Sequence, residues 1–236
     1  MKITTIPSVK YIDEDVIRNK CVVIIDVLRA TSVITTAIAN GAQEVLAVKE
    51  IDEALQLKDE NSLLGGERKA LKIEGFDLSN SPLEYSKKAV GNKKVVLTTT
   101  NGTNAIARAS MGGTVLIGCM QNGKAVARRV AMENRDTVIL CAGTYGKFSI
   151  DDFICAGKIL YEILELSKAE MDDLSAAAYM AYRDNKGRTI EYIKKAAHYK
   201  YLVSIGLEED IEYCFMEDQT ETVPEYINGK IINSLA

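Results

Sequence analysis

Short runs of β-branched residues alternate with longer amphipathic stretches along most of the chain. The runs CVVIIDV (21–27), EVLAV (44–48), SLLGG (62–66), KVVLTT (94–99), TVLIG (114–118) and TVILCA (137–142) are mostly continuous in Val, Ile and Leu. Parallel strands buried on both faces read this way. Between them the pattern predicts helices over 32–40, ended by Gly41, over 51–59, over 103–110, ended by Gly112, over 123–133 and over 151–166. Such βα alternation predicts a three-layer α/β fold, a mostly parallel sheet with helices on both faces. Beyond Ser167 the character changes. Helices are predicted over 172–183 and 189–204, joined by the turn DNKGR, and the segment EEDIEYCFMEDQTETVPEYINGKII reads as acidic and irregular. With no Pro/Gly linker to mark a boundary, residues 1–236 read as a single α/β catalytic domain. Its sheet-rich part covers about 1–166, and 167–236 form a C-terminal helical appendage.

Three strand-to-helix junctions share a chemical pattern: VVIIDVLRATS, VVLTTTNGTNA and VILCAGTYGKFSIDD. Each passes from an apolar strand through hydroxyl, amide or glycine residues into a helix start. Open α/β sheets bind ligands at the carboxyl ends of parallel strands, and helix N-termini attract anions there. Thr98, Thr99, Thr100, Asn101 and Thr103 surround Gly102, which allows close backbone approach. The same residue types also make plain helix caps, so no single junction decides the matter. Charges that a cap does not require shift the balance. Asp26 follows five apolar residues, where a carboxylate is costly unless paired, protonated or metal-bound; an ion pair with Arg29 is the simplest alternative. Glu67 and Arg68 repeat the acid and guanidinium theme after two glycines. Asp151 and Asp152 either complement the dipole of the helix they open or face a ligand.

Composition narrows the partners. Hydrophobic residues at 47% and charged residues at 26% are ordinary for a globular protein. A net charge of -4, with no Trp and only four Phe, gives neither the basic footprint nor the stacking surface of a nucleic-acid binder. The first residues lack the apolar core of a signal peptide, and no segment is long and uncharged enough to span a bilayer. Five cysteines without a CxxC pair point to free thiols in a reducing cytoplasm. GCMQNGKA, from Gly118, has P-loop spacing, but Ala125 stands where magnesium-binding Ser or Thr is needed. The single histidine, His198, excludes classical Ser-His-Asp and poly-His zinc sites in its default reading as a packed or solvated side chain. Glu208, Glu209 and Asp210 read as a helix-start surface.

The blocks IDVLRATS, GGERKALKIEGFDLSNSPLEY, LTTTNGT, LCAGTYGKFSIDDFICAG and IGLEEDIEYC with VPEY occur in this order over nearly the whole chain. Together they resemble the 2-phosphosulfolactate phosphatase family. The resemblance implies a magnesium-dependent α/β enzyme that hydrolyses the phosphate ester of a sulfonated 2-hydroxy acid, on a route toward coenzyme M. Phosphoryl transfer depends mainly on positioning and charge neutralisation. The metal candidates are therefore Asp26, Glu67 and Asp152, with Asp151 in reserve. Arg29 and Arg68 are the candidate clamps for phosphate and for a sulfonate or carboxylate, and Thr31, Ser32, Thr99, Asn101, Gly102 and Thr144 the neutral donors. Water and Asp26 itself stay open as nucleophile, although Leu28 replaces the second Asp of haloacid dehalogenase-type phosphatases. Tyr145 and the bulky stretch around His198 depart from the family pattern. An NTP-dependent transferase and a non-catalytic sensor of a small phosphorylated acid are the competing classes, and a homo-oligomer is compatible with either.

Overall fold

In the computed structural model, which describes residues 1–234, eleven strands form one sheet. They are β1 (Lys2–Ile6), β2 (Cys21–Ile25), β3 (Glu44–Val48), β4 (Ser62–Arg68), β5 (Leu71–Lys72), β6 (Lys94–Thr98), β7 (Thr114–Gly118), β8 (Thr137–Cys141), β9 (Glu170–Met171), β10 (Pro224–Ile227) and β11 (Lys230–Asn233). Their order is β5-β4-β6-β3-β11-β10-β7-β2-β8-β1-β9. The helices that matter below are α1 (Ala30–Ala39), α2 (Gly102–Ala109), α3 (Gly123–Glu133), α4 (Ile150–Leu166), α5 (Asp173–Asn185), α6 (Ala197–Ser204) and α7 (Glu208–Cys214).

The three-layer α/β expectation holds, and the side-chain alternation of a strand explains it. Cys21, Val23 and Ile25 of β2 point into a core shared with α3, α4 and α5, whereas Val22 and Ile24 point into the opposite core with α1 and α2. β2, β7 and β8 are buried at every position. They pair in parallel with one register, so Ile25 lies beside Gly118 and Cys141. Their carboxyl ends, and hence the junctions after them, fall on one rim.

The C-terminal helices are present, but the segment read as irregular does more than decorate the sheet. Residues 208–214 form α7, and β10 and β11 form a hairpin inserted between β7 and β3. The hairpin pairs antiparallel with both neighbours and joins two halves that are parallel apart from the short β4–β5 pair. A Gly229 turn with positive φ at Asn228 and Gly229 closes it. β1 and β9, also unread in the sequence, extend the other edge in parallel with β8. Among the described residues no helix is long and apolar enough to cross a membrane. All five cysteines are free and buried.

Candidate active site

At the rim where β2, β4, β6 and β8 end, a cavity of about 250 Å³ opens. That is below the roughly 300–1,000 Å³ usual for drug-sized ligands, and so suits a small molecule. Asp26, Arg29, Glu67, Thr99, Asn101 and Thr144 line it, six of the residues singled out in the sequence. Asp26 and Glu67 therefore face the same space from the ends of separate strands.

The loop after β2 is shaped by its own hydroxyls. The Asp26 N–H donates to Thr31 Oγ1 at 3.1 Å, the Thr31 N–H donates back to the Asp26 carbonyl at 2.9 Å, and Ser32 Oγ donates to the Val27 carbonyl at 2.8 Å. Both hydroxyls are fully buried and neither lines the cavity. The expected ligand donors Thr31 and Ser32 are instead committed to the backbone that carries Asp26. Gly102, the first residue of α2, comes so close that a Cβ there would lie 2.8 Å from Asp26 Oδ2. The start of α2 thus packs on the Asp26 carboxylate. Burial pushes the Asp26 pKa up to about 7, with Asp151 and Glu67 adding to the rise and His198 opposing it.

The other acids are more tightly held. Glu67 accepts the Ala70 N–H at 2.8 Å and the Thr100 N–H at 2.7 Å, tying the turn after β4 to the loop after β6. Asp152 accepts the N–H groups of Val27 and Gly143, both at 2.9 Å, and does not line the cavity. Burial and the charges of Asp151 and Asp26 raise its pKa well above the carboxylate range. Its oxygens brace two loops. The three-carboxylate metal shell of Asp26, Glu67 and Asp152 is accordingly not assembled: among the described residues no group of three or more His, Cys, Asp or Glu is placed to hold a metal ion. Magnesium, however, commonly takes only one or two protein carboxylates and completes its shell with substrate phosphate and water. Asp26, whose carboxylate makes no side-chain ion pair among the described residues, lines the cavity with Glu67. The donor set fits that open mode and not a protein cage.

His198 is where the structure departs furthest from the sequence reading. It lines the cavity, and its Nδ1 lies 2.8 Å from Asp151 Oδ2, while Ser149 Oγ donates to Asp151 Oδ1. Burial works against a charged imidazole here, but the hydrogen bond and charge of Asp151, aided by Asp26, raise the His198 pKa. Burial likewise works against the Asp151 charge, and the bond to His198 and its charge outweigh it and lower that pKa. Asp151, held in reserve for the metal, is thus the partner of His198.

Arg29 is buried in the opposite wall. It forms an ion pair with Asp210 of α7 and donates to the Ala70 carbonyl at 2.8 Å. Ser81 Oγ donates to the same Asp210 carboxylate. Asp210 is therefore no surface acid, and a helical pattern marks it: Leu207, Asp210, Ile211 and Cys214 fall on one face at spacings 0, 3, 4 and 7. Arg68, the second expected clamp, points away. It donates to the carbonyls of Glu67 and Lys49, both at 2.8 Å, and to Thr98 Oγ1 at 3.0 Å, in a neighbouring depression. Tyr201 Oη donates to the Lys69 carbonyl at 2.9 Å, so α6 meets the turn after β4 at the cavity mouth. Tyr145 stands largely exposed on the rim, its N–H donating to Asn101 Oδ1 at 3.1 Å.

A small cavity at the carboxyl ends of parallel strands, largely apolar in surface but set with a buried acid, a guanidinium and a helix start, defines a three-layer α/β enzyme that acts on a small anion. A family model described as 2-phosphosulpholactate phosphatase matches residues 6–229. A Clostridium beijerinckii protein named "Probable 2-phosphosulfolactate phosphatase" is 49% identical over 236 residues, covering 98% of this chain and 99% of that protein. Similarly named proteins of Clostridium tetani and Clostridium acetobutylicum are 50% and 47% identical, covering 98% of this chain and 100% of each relative. The chain belongs to the 2-phosphosulpholactate phosphatase family, a family of phosphoric monoester hydrolases.

Proposed function

We propose that this protein is a Mg²⁺-dependent phosphatase that hydrolyses a 2-phospho acid, with 2-phosphosulfolactate giving sulfolactate and phosphate, in the manner of a coenzyme M route. The observation that carries the metal is the distribution of charge around the cavity. Of the basic side chains on its lining, Arg29 is paired with Asp210 and His198 with Asp151, whereas Asp26 and Glu67 make no ion pair among the described residues. A phosphate dianion meets two carboxylates there, and the repulsion is relieved when a divalent cation enters with it. Asp26 would hold that ion, with Glu67 beside it; bound magnesium supplies charge neutralisation at the phosphoryl oxygens.

The remaining work falls to the protein. The first turn of α2 offers partial positive charge to the transferring group. With Nδ1 committed to Asp151, His198 has Nε2 left to hold a proton for the departing 2-oxygen. Two of the five guanidinium donors of Arg29 are bound inside the protein, and the others serve the substrate's oxyanions. Purified protein incubated with 2-phosphosulfolactate should release phosphate without any nucleotide, lose that activity in EDTA and regain it with Mg²⁺. Release that survives exhaustive chelation overturns the metal assignment; no release with Mg²⁺ present overturns the substrate.

A further inference from the structure

One side chain on the cavity lining has no work inside the protein. Asn80 is 4% exposed, lines the cavity, and its Oδ1 accepts no hydrogen bond from any described residue. A buried carboxamide left unpaired costs free energy, so its place requires a reason. The loop that carries it is firmly held: Tyr85 Oη donates to the Ser79 carbonyl at 2.8 Å, and Ser79 Oγ and N–H both donate to Glu84 at 2.7 Å. The next residue, Ser81, shares the Asp210 carboxylate with Arg29. Asp210 thereby ties the loop of Asn80 to the guanidinium, and Asn80, Arg29 and Asp26 all line the one cavity.

The geometry points to Asn80 as a specificity-determining residue whose carboxamide, beside Arg29, hydrogen-bonds the oxyanion of the substrate that is not transferred. This rests on the phosphatase reading above. The Oδ1 is the enclosed end of the carboxamide, which leaves the NH₂ end for the ligand. A neutral donor near a guanidinium whose charge is already met by Asp210 suits a weakly basic oxyanion, a carboxylate or a sulfonate. The dianionic phosphoryl group belongs with the cation at Asp26.

The test is Asn80→Ala, assayed with Mg²⁺ on 2-phosphosulfolactate, on 2-phospholactate, which lacks the sulfonate, and on the phosphate ester of 2-hydroxyethanesulfonate, which lacks the carboxylate. Since the Asn80 side chain makes no hydrogen bond among the described residues, the melting temperature should hold or rise. KM for 2-phosphosulfolactate should increase roughly 10- to 100-fold with kcat little changed, the scale of a hydrogen bond to a charged group. The penalty should vanish for whichever shortened ester lacks the group that Asn80 reads. An equal penalty on all three esters, or no penalty on any, overturns the inference. If the wild type releases phosphate from none of them, the phosphatase reading fails. Sulfolactate binding, measured by calorimetry with Mg²⁺, then decides for Asn80: weaker binding by the variant supports it, and equal binding or none by the wild type overturns it.

Discussion

After β6 the chain runs through Thr99, Thr100 and Asn101 into α2 at Gly102; after β7 it runs through Cys119, Met120, Gln121 and Asn122 into α3 at Gly123. Both junctions join a buried strand to a helix through small and polar residues, and both lie at the carboxyl ends of strands. The first borders the cavity. The second, the P-loop-like stretch, is filled by the protein itself. Asn122 accepts the Cys119 N–H at 2.9 Å and donates to the carbonyls of Ile117 and Thr222 at 3.1 and 3.0 Å. Asp218 takes the Lys124 N–H at 2.9 Å and the buried Lys158 ammonium at 2.7 Å. A carboxylate of the chain thus sits at the start of α3 with a lysine beside it, where a nucleotide phosphate needs room. Residue type marks a junction as capable of holding an anion, and the rest of the chain decides whether an internal anion or a ligand does so.

Substitutions that separate the two junctions test this contrast. The largest effect is expected at Asp26. Asp26→Asn should lower kcat by about 10³-fold, the several kcal/mol of charge stabilisation at a phosphoryl group. The metal-free variant should also be the more stable one at pH 8. The wild-type carboxyl, with its pKa raised from 3.8 to about 7, holds a proton in the folded state that the unfolded chain has released. Wild-type stability therefore falls as pH rises through that window, and the asparagine removes the fall. Melting curves at pH 4 and 8 in EDTA check it: the gain should shrink toward the acid end.

Next comes Gly102→Ala, whose Cβ would lie 2.4 Å from Ala30 Cβ and 2.8 Å from Asp26 Oδ2. Shifting the carboxylate should cost about 10²-fold in kcat/KM and about 1–3 kcal/mol of stability, read by phosphate release and denaturant titration. Asp210→Asn keeps a hydrogen-bond partner for Arg29 but removes the countercharge. KM should rise roughly tenfold, with kcat less affected, in steady-state kinetics. The smallest effect on catalysis belongs to the closed junction. Gly123→Ala places a Cβ 2.8 Å from Lys158 Cε, and should cost about 1 kcal/mol in a thermal melt while kcat/KM stays within about twofold of wild type. A large catalytic loss there would mean that the P-loop-like junction takes part in the reaction after all.

Continuous Val and Ile runs made the parallel core readable, since β2, β7 and β8 are buried on both faces and their sequences show it without ambiguity. β10 and β11 escaped because PEYI and KIIN are short and partly polar; their place in the sheet comes from the edges of β3 and β7, which no local pattern reports. The same divide runs through the site. Asp26 and Glu67 stood out as acids at strand ends. Thr31, Ser32, Asp152 and Arg68 stood out equally, yet each is drawn to backbone groups whose positions depend on distant loops. His198 and Asn80 reach the cavity from elements that pack there only in three dimensions, and Asp210, read as a surface acid, is buried against Arg29 on the apolar face of α7.

The hairpin of β10 and β11 has a further consequence for how the molecule is made. The two halves of the sheet meet only through residues 224–233, which leave the ribosome after the other strands of the sheet. Until then β3 and β7 each present an open edge, a template for pairing with another nascent chain. Completion of this sheet thus waits for its last strands, and growing chains are exposed to mispairing for the whole time it takes to synthesise the helices that precede the hairpin.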